Sequence, residues 1–499
     1  MENDQQNLQS MTSRIIDYSL KGHLPLILGL FAILAGFAAL LITPREEEPQ
    51  IVVPIADIMI EAPGLGAEQI ERQVATPLEK LLTQIDGVEH VYSVSYPDKA
   101  IVTVRFFVGE DRVNSLVKIY NKIYSNTDII PDAVSSWVVK PVEIDDVPII
   151  LVNLWSKDPE RINDHTLHRL AQEVAEKLKA VPRTNRVEIT GGAAREIRIE
   201  LDTEALAARR TSPLEVIDAL QLSNVEINAG IIRKNNKNLV LRVGTFLQSR
   251  EALEKLPVNI IDNVPVYLHE VADIHDGPQE AVSYTWMTFG PADKGNKDWQ
   301  GDRQSGFYPA VTISVAKQKG TNAVWVSNDI KQTMEELKQE LFPPEVDYRI
   351  IRDYGETAND KVNDLTSSLL LAIIIVVVFI GVFLGWRHAV VIALAIPICY
   401  GITFAINYFA GYTINRVTLF ALILAIGLLV DDPITGLDNI ERHYRIGKRK
   451  SRESVILAIT EIRSALIMST IAIILAFAPL AFISGMMGPY MSPMALNVP

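Results

Sequence analysis

A single cysteine, Cys399, occurs in the 499 residues, and it lies in an apolar run. The chain therefore has no disulfide framework and no thiolate metal site. Basic residues are in deficit: 47 Lys and Arg stand against 60 Asp and Glu, a formal charge of −13. Nucleic acid needs a basic face, so this balance argues against it as a partner. No nucleophile has an adjacent base, so no catalytic residue and no enzymatic chemistry are expected. Gly64-Leu65-Gly66 lacks the rest of a dinucleotide motif and reads as a turn before a helix. His165 and His168 lie three apart on a predicted helix, without an acidic or Cys third ligand, and read as surface histidines. Met486, Met487, Met491 and Met494 could offer thioethers to copper(I), but no His or Cys accompanies them, and helix-end packing is expected. Trp155 and Trp286 read as packing residues. No metal and no cofactor are expected.

What is abundant is apolar sequence, 48% of the chain, beside 21% charged residues. The two are unevenly spread. Residues 44–365 carry most of the acids, and 366–499 carry the long apolar runs. This pattern predicts a soluble part joined to a membrane part. A bilayer core takes about 20 apolar helical residues. Spans are predicted at 24–43, 367–384, 389–410, 417–439 and 464–484, and 485–499 reads as the start of a sixth. The first run has no short apolar core with a cleavage site and should remain as an anchor. Arg14 and Lys21 precede the first span, Arg387 and His388 follow the second, and a basic stretch from Arg442 to Arg463 follows the fourth. All three fall on one side of the membrane, which the positive-inside rule makes cytoplasmic. Residues 1–23 and 440–463 then face the cytoplasm, and 44–365 lies outside.

The outer region alternates strand and helix patterns. An Ile- and Val-rich strand is expected at 51–60, a helix at 67–83, a hairpin at 90–108, a helix at 113–124 and a strand at 136–142. This β-α-β-β-α-β order predicts an α+β domain of the split βαβ, ferredoxin-like kind. The order recurs at 149–189 and 310–351, interrupted by an insertion with its own strands and helix. The boundaries are 44–142 for the first unit, 143–192 with 284–355 for the second, and 193–283 for the insertion. The stretch 290–306 reads as an exposed loop.

The strongest chemical signal is Gly427-Leu428-Leu429-Val430-Asp431-Asp432-Pro433. A helix over 417–430 would be about 21 Å long, too short to span. It must run on to about Asn439, which places both aspartates at hydrocarbon depth. A carboxylate there marks an ion or proton path by default. Low dielectric and the neighbouring charge both oppose full ionisation, so the pair should take up and release protons as a coupled unit. No Lys or Arg lies within any of the five spans, so a cationic partner must come from elsewhere. Pro433 should loosen the helix one turn before it. Asp438, seven residues after Asp431, either guides protons or caps the interface.

The helix plan, Pro44-Arg45-Glu46-Glu47-Glu48-Pro49-Gln50 after the first span, and Gly427 to Asp432 in the fourth together resemble the N-terminal half of resistance–nodulation–division transporters. The twin aspartates resemble the hydrophobe/amphiphile branch, since heavy-metal pumps usually show one. The resemblance implies proton-driven efflux of amphiphilic small molecules from the periplasm or membrane. It implies two porter subdomains, a docking insertion and an inner-membrane location with a large periplasmic domain. It further implies a homotrimer, an adaptor, an outer-membrane duct and contact with membrane lipid. Asp431 and Asp432 would be the relay carboxylates, with protons as the coupling ion and a lysine from a second half as partner. Val147, Ile149 and Thr190 would line the substrate cleft. The sequence departs after the aspartates, where many relatives continue with an apolar run and Glu-Asn. The family's drug pocket is often rich in Phe, whereas 147–151 and 187–191 hold no aromatic residue. Heavy-metal export and proton-driven protein translocation fit the same helix plan and are the alternatives.

Overall fold

A computed structural model describes residues 18–19, 22–49, 51–234, 237–247, 249–281, 283–289, 307–446 and 452–499. The expected loop at 290–306 and the basic residues Arg14, Lys21, Lys448, Arg449 and Lys450 lie outside the described residues.

The chain opens with helix α1 (Leu24–Ile42), then enters a first α+β unit. Its strands are β1 (Ile55–Glu61), β2 (Val88–Tyr96), β3 (Lys99–Phe106) and β4 (Ser136–Val142), in the order β2-β3-β1-β4. Strand β3 shows why the sheet forms: Ala100, Val102, Val104 and Phe106 alternate into the core. Strand β1 starts at Ile55, not Ile51, because Pro54 has no N–H to give a ladder. Helix α2 (Ala67–Ile70) runs through a π-turn at Glu71–Ala75 into α3 (Thr76–Leu82). With α4 (Arg112–Tyr124) these helices cover one face of the sheet, closing Ile70, Val74, Leu82 and Ile119 over Ile58 and Val102. Asp111 caps α4 by accepting from the Asn114 N–H.

A second unit repeats the plan with β5 (Pro148–Ser156), α5 (Asp164–Lys179), β6 (Thr184–Thr190), β14 (Tyr308–Lys317), α9 (Ala323–Leu341) and β15 (Val346–Asp353). Strand β14 pairs with both β5 and β6, and β15 pairs with β5, so the order matches the first sheet. The short strand β13 (Trp286–Met287) adds to the far end of β14. Between β6 and β13 the chain makes β7 (Arg195–Leu201), α6 (Thr203–Ala208), α7 (Pro213–Ser223), β8 (Val225–Lys234), β9 (Lys237–Thr245), α8 (Arg250–Glu254), β10 (Pro257–Ile261), β11 (Val264–Tyr267) and β12 (Ala272–Pro278). Strands β7 and β12 pair around a core that includes Val216, Leu253 and Leu268. Strands β8 and β9 form a hairpin that, among the described residues, pairs with no other strand and leaves Ile227, Ile231, Leu239 and Leu241 exposed.

Beyond β15 come α10 (Tyr354–Phe383), α11 (Trp386–Phe409), α12 (Arg416–Ile446), α13 (Arg452–Phe477) and α14 (Met487–Asn497). Five helices of the described residues are long and apolar enough to cross a membrane. Helix α10 begins at Tyr354, well before the predicted 367, because Asp353 caps it and the helix extends beyond its apolar part. Helix α12 likewise continues to Ile446, past the predicted Asn439. The region predicted to begin a sixth span forms the 11-residue helix α14; its Met494, and Val498 just after it, pack against Ala421 and Ala425 of α12.

Small residues let α1 and α11 touch. Gly29, Ala32, Gly36 and Ala39 form the buried stripe of α1. A Cβ on Gly36 would stand 2.2 Å from the Gly401 Cα, and one on Gly401 would stand 2.3 Å from the Ala32 carbonyl oxygen. Both obstacles are backbone, so the helices must separate to admit a side chain. Gly36→Val is expected to cost about 1–3 kcal/mol, read as a lower melting temperature of the purified protein. An unchanged melting temperature would show that this crossing is not tight.

Candidate functional site

Asp431 and Asp432 sit on α12, and Asp431 is the central residue of its 31. Helical spacing turns the two side chains about 100° apart. Asp431 is exposed and Asp432 is half-buried. The Thr470 hydroxyl of α13 lies 3.4 Å from Asp432 Oδ2, at the long end of hydrogen bonding, and it also donates to the Leu466 carbonyl at 3.0 Å. The Thr435 hydroxyl donates to the Asp431 carbonyl at 2.9 Å. Pro433 inside the helix deprives the Leu429 carbonyl of its helical donor, so this turn carries a built-in weak point. Among the described residues neither carboxylate has an ion-pair partner. The wall on the other side is apolar: Ile426 and Val430 pack with Ile392, Ile396 and Tyr400. The buried Tyr400 hydroxyl donates to the Leu422 carbonyl at 2.8 Å and so ties α11 to α12.

Asp438 does not join the pair. It is exposed, and the turn beyond it belongs to another network. Asn439 donates to the Ala458 carbonyl at 2.7 Å, while Arg442 and His443 reach Glu461 of α13 at 2.5 and 2.7 Å. Glu461 and His443 were not singled out from the sequence. Their pairing joins two helices across a loop, and no local motif announces it.

A second polar site lies where the helices meet the sheets. The segment after α1 is sandwiched between the two. The Glu46 N–H donates to the Ile414 carbonyl at 3.0 Å, and the Ile414 N–H donates to the Pro44 carbonyl at 2.9 Å. Glu48 pairs with Arg416, and Arg45 donates to Asn359 at 3.3 Å. Glu46 and Lys317, at 4% and 7% side-chain exposure, form a 2.6 Å ion pair. Nearby, Asp353 meets Lys331 at 2.5 Å and accepts from Ser327 at 2.7 Å. Burial alone would raise the Asp353 pKa. Hydrogen bonds from Lys331, Ser327 and the Glu356 N–H, with the Lys331 charge, outweigh it and hold the carboxyl below its ordinary value.

Val147 and Ile149 line a cavity of about 500 Å³ at this junction, together with Glu46, Glu47, Glu48, Lys317, Arg352 and Tyr354. Thr190 does not share it. It pairs with Thr312 near the other end of the sheet and faces solvent, so the three residues expected to line one cleft are divided. The cause is register: Val147 precedes the first residue of β5, whereas Thr190 is the last of β6.

A family model for AcrB/AcrD/AcrF matches residues 15–499. The chain belongs to the AcrB/AcrD/AcrF family. It is 26% identical over 478 residues to the multidrug resistance protein MdtC of Proteus mirabilis, covering 95% of this chain and 44% of that protein. To MdtC of Pectobacterium atrosepticum it is 25% identical over 466 residues, 93% of this chain and 43% of that protein. The chain thus spans less than half the length of these curated relatives.

This family member also holds a group of aromatic rings around the two tryptophans read as packing residues. At the Thr190 end of the second sheet, Trp155 packs on Phe289 and Tyr308 with ring centres 5.0 and 5.1 Å apart. Beside them Trp286 stacks on Tyr284 and meets Phe307 edge-on. Trp155 is buried, as packing requires, but Trp286 is 52% exposed. The two strands predicted to line the cleft carry none of these rings except Trp155. The others come from residues 284–289 and 307–308, brought together by the pairing of β13 with β14. The Nδ1 atoms of His165 and His168 each lie 3.0 Å from a carbonyl, those of Ala193 and Gly191, and brace that turn. Among the described residues no group of three His, Cys, Asp or Glu side chains is arranged to hold a metal ion.

Proposed function

We propose that this chain is part of a proton-driven efflux transporter for amphiphilic small molecules. The observation that carries the reading is the pair Asp431 and Asp432 at the centre of an apolar helix, with Asp432 beside Thr470 of the next helix. Carboxylates at such a depth mark ion paths. Protonation changes their charge, and the weak turn at Pro433 lets α12 respond. A cationic group from outside these 499 residues holds the ionised state.

The two matching sheets are read as split βαβ porter units, on the strength of their shared strand order. Residues 193–283 are read as the docking insertion. The exposed apolar hairpin β8–β9 supports burial against another copy, consistent with a trimer. With the basic ends of the helices cytoplasmic, the sheets stand in the periplasm, where an adaptor and an outer-membrane duct would complete the path. The name of the MdtC relatives supports drug-like amphiphiles as substrates. The exposed rings of Tyr284, Trp286 and Phe307 offer such molecules flat apolar contacts.

Cells carrying the full-length gene should accumulate less of a fluorescent amphiphile than cells without it. Collapsing the proton gradient with an uncoupler should erase the difference. Export that continues unchanged after uncoupling would refute proton coupling.

A further inference from the structure

At the end of the helices remote from the sheets, α10 stops at Phe383. The chain reverses through Gly385, whose φ of 99° favours glycine, and enters α11 at Trp386. Trp386, Arg387 and His388 therefore stand at the rim of the apolar spans. Helix α12 passes beside this turn because it continues to Ile446. Its Leu437, Ile440, Glu441, Tyr444 and Arg445 recur at the three- and four-residue steps that put side chains on one helical face. That face and the α10–α11 turn line a cavity of about 640 Å³. Its wall changes character along the helix axis. Leu384, Leu437 and Ile440 make one part apolar, and Trp386, Arg387, Tyr444 and Arg445 make the rest aromatic and basic. The charges in it do not cancel. Glu441 is shared between Arg445, at 2.6 Å, and His388, at 3.2 Å. Arg387 meets no carboxylate among the described residues, and its guanidinium stands 5.7 Å from the Trp386 ring centre. With His388 neutral, the two arginines face one acid, which leaves one positive charge unbalanced.

We propose that this cavity binds the phosphate of an anionic membrane phospholipid. A phosphodiester carries the single negative charge that the cavity lacks. Arg387 and Arg445 donate to its oxygens, a pairing that the guanidinium fork suits. The Trp386 indole and the Tyr444 hydroxyl add donors at headgroup depth, where such amphipathic rings concentrate. The acyl chains lie along Leu384, Leu437 and Ile440 and on the exposed Val382 and Phe383 at the end of α10. Glu441 is a positioning residue here: tied to α11 by His388, it holds Arg445 toward the turn. Basic pockets between membrane helices suit anionic headgroups. Free phosphate would satisfy the arginines equally but leave the apolar wall in water, so the wall favours the lipid. The inference needs only that these helices cross a membrane; it does not depend on proton coupling or on what is exported.

The probe is dioctanoylphosphatidylglycerol, titrated calorimetrically into the purified full-length protein in dodecyl maltoside. Arg387→Gln removes an exposed side chain that no carboxylate among the described residues holds, so the melting temperature should not change. Binding should weaken about tenfold, the loss of one charge-assisted hydrogen bond. Dioctanoylphosphatidylcholine, with the same chains but no net charge, should bind more weakly than the glycerol lipid. Arg442→Gln takes the same charge from the side of α12 that meets Glu461 of α13, outside the cavity, and should leave the affinity unchanged. Equal losses in the two variants would show diffuse charge attraction and no site. Equal affinities of wild type and Arg387→Gln, or of the two lipids, would also overturn the proposal. Inorganic phosphate separates the sources. Phosphate that competes as strongly as the lipid would assign the cavity to a soluble anion and overturn the lipid assignment; phosphate that competes far more weakly supports it. The titration uses no proton gradient, so its failure leaves proton-driven export standing, and failure of the uncoupler experiment leaves this result standing.

Discussion

Asp432→Asn and Asp431→Asn in the full-length protein are each expected to abolish export, raising amphiphile accumulation to that of cells without the pump. The amide has the shape of the acid but cannot take up and release a proton. Asp432 is the half-buried member and the one beside Thr470, so its loss acts directly on the contact between α12 and α13. Asp431 lies on the exposed side of α12, where a cation from outside this region would meet it. If the two carboxylates act as one relay, as proposed, changing either member removes the function. Thr470→Val, which removes only the hydroxyl, separates the contact from the charge: a partial loss would assign Thr470 a positioning part. If both Asn variants export like the wild type at equal membrane levels, the relay assignment fails.

Lys317→Met is expected to destabilise the protein by about 3–5 kcal/mol, because it leaves the Glu46 carboxylate buried without its partner. Breaking a buried ion pair costs more than replacing it whole. The double variant Glu46→Leu with Lys317→Met should therefore recover most of the loss. The measurement is thermal unfolding of the purified protein, wild type against both variants. If Lys317→Met melts with the wild type, the pair does not clamp the junction. If the double variant is as unstable as the single one, packing and not charge is responsible.

The segment containing Glu46 explains why the pair matters to the molecule. It connects α1 to the first sheet, yet its backbone bonds to the turn before α12 and its side chain to the end of β14. A shift of α12 on protonation would therefore be felt by the second sheet through residues 44–48. The capped start of α10 at Asp353, held by Lys331 and Ser327 of α9, is a second rigid link between helix and sheet.

Much of the local structure was legible in the sequence. The apolar runs mark the five long helices, since a membrane span needs an unbroken apolar length and little else in the chain has it. Alternation in 100–106 and the Pro97-Asp98 turn mark the β2–β3 hairpin. The ends were less legible. Helix α10 extends beyond its apolar part on the strength of a cap, and β1 is shortened by a proline. The insertion also holds the long β8–β9 hairpin; its apolar residues face outward, so no core dictates its register.

The sequence by itself determined that two adjacent carboxylates occupy the middle of a membrane-length helix, because helix length and the cost of buried charge are local properties. Only the tertiary structure decided which distant groups meet. Glu46 and Lys317 are 271 residues apart, Gly36 and Gly401 touch across two helices, and Val147 and Thr190 separate although both were expected in one cleft. Such meetings depend on how strands register and helices cross, and those follow from the summed packing of the whole chain.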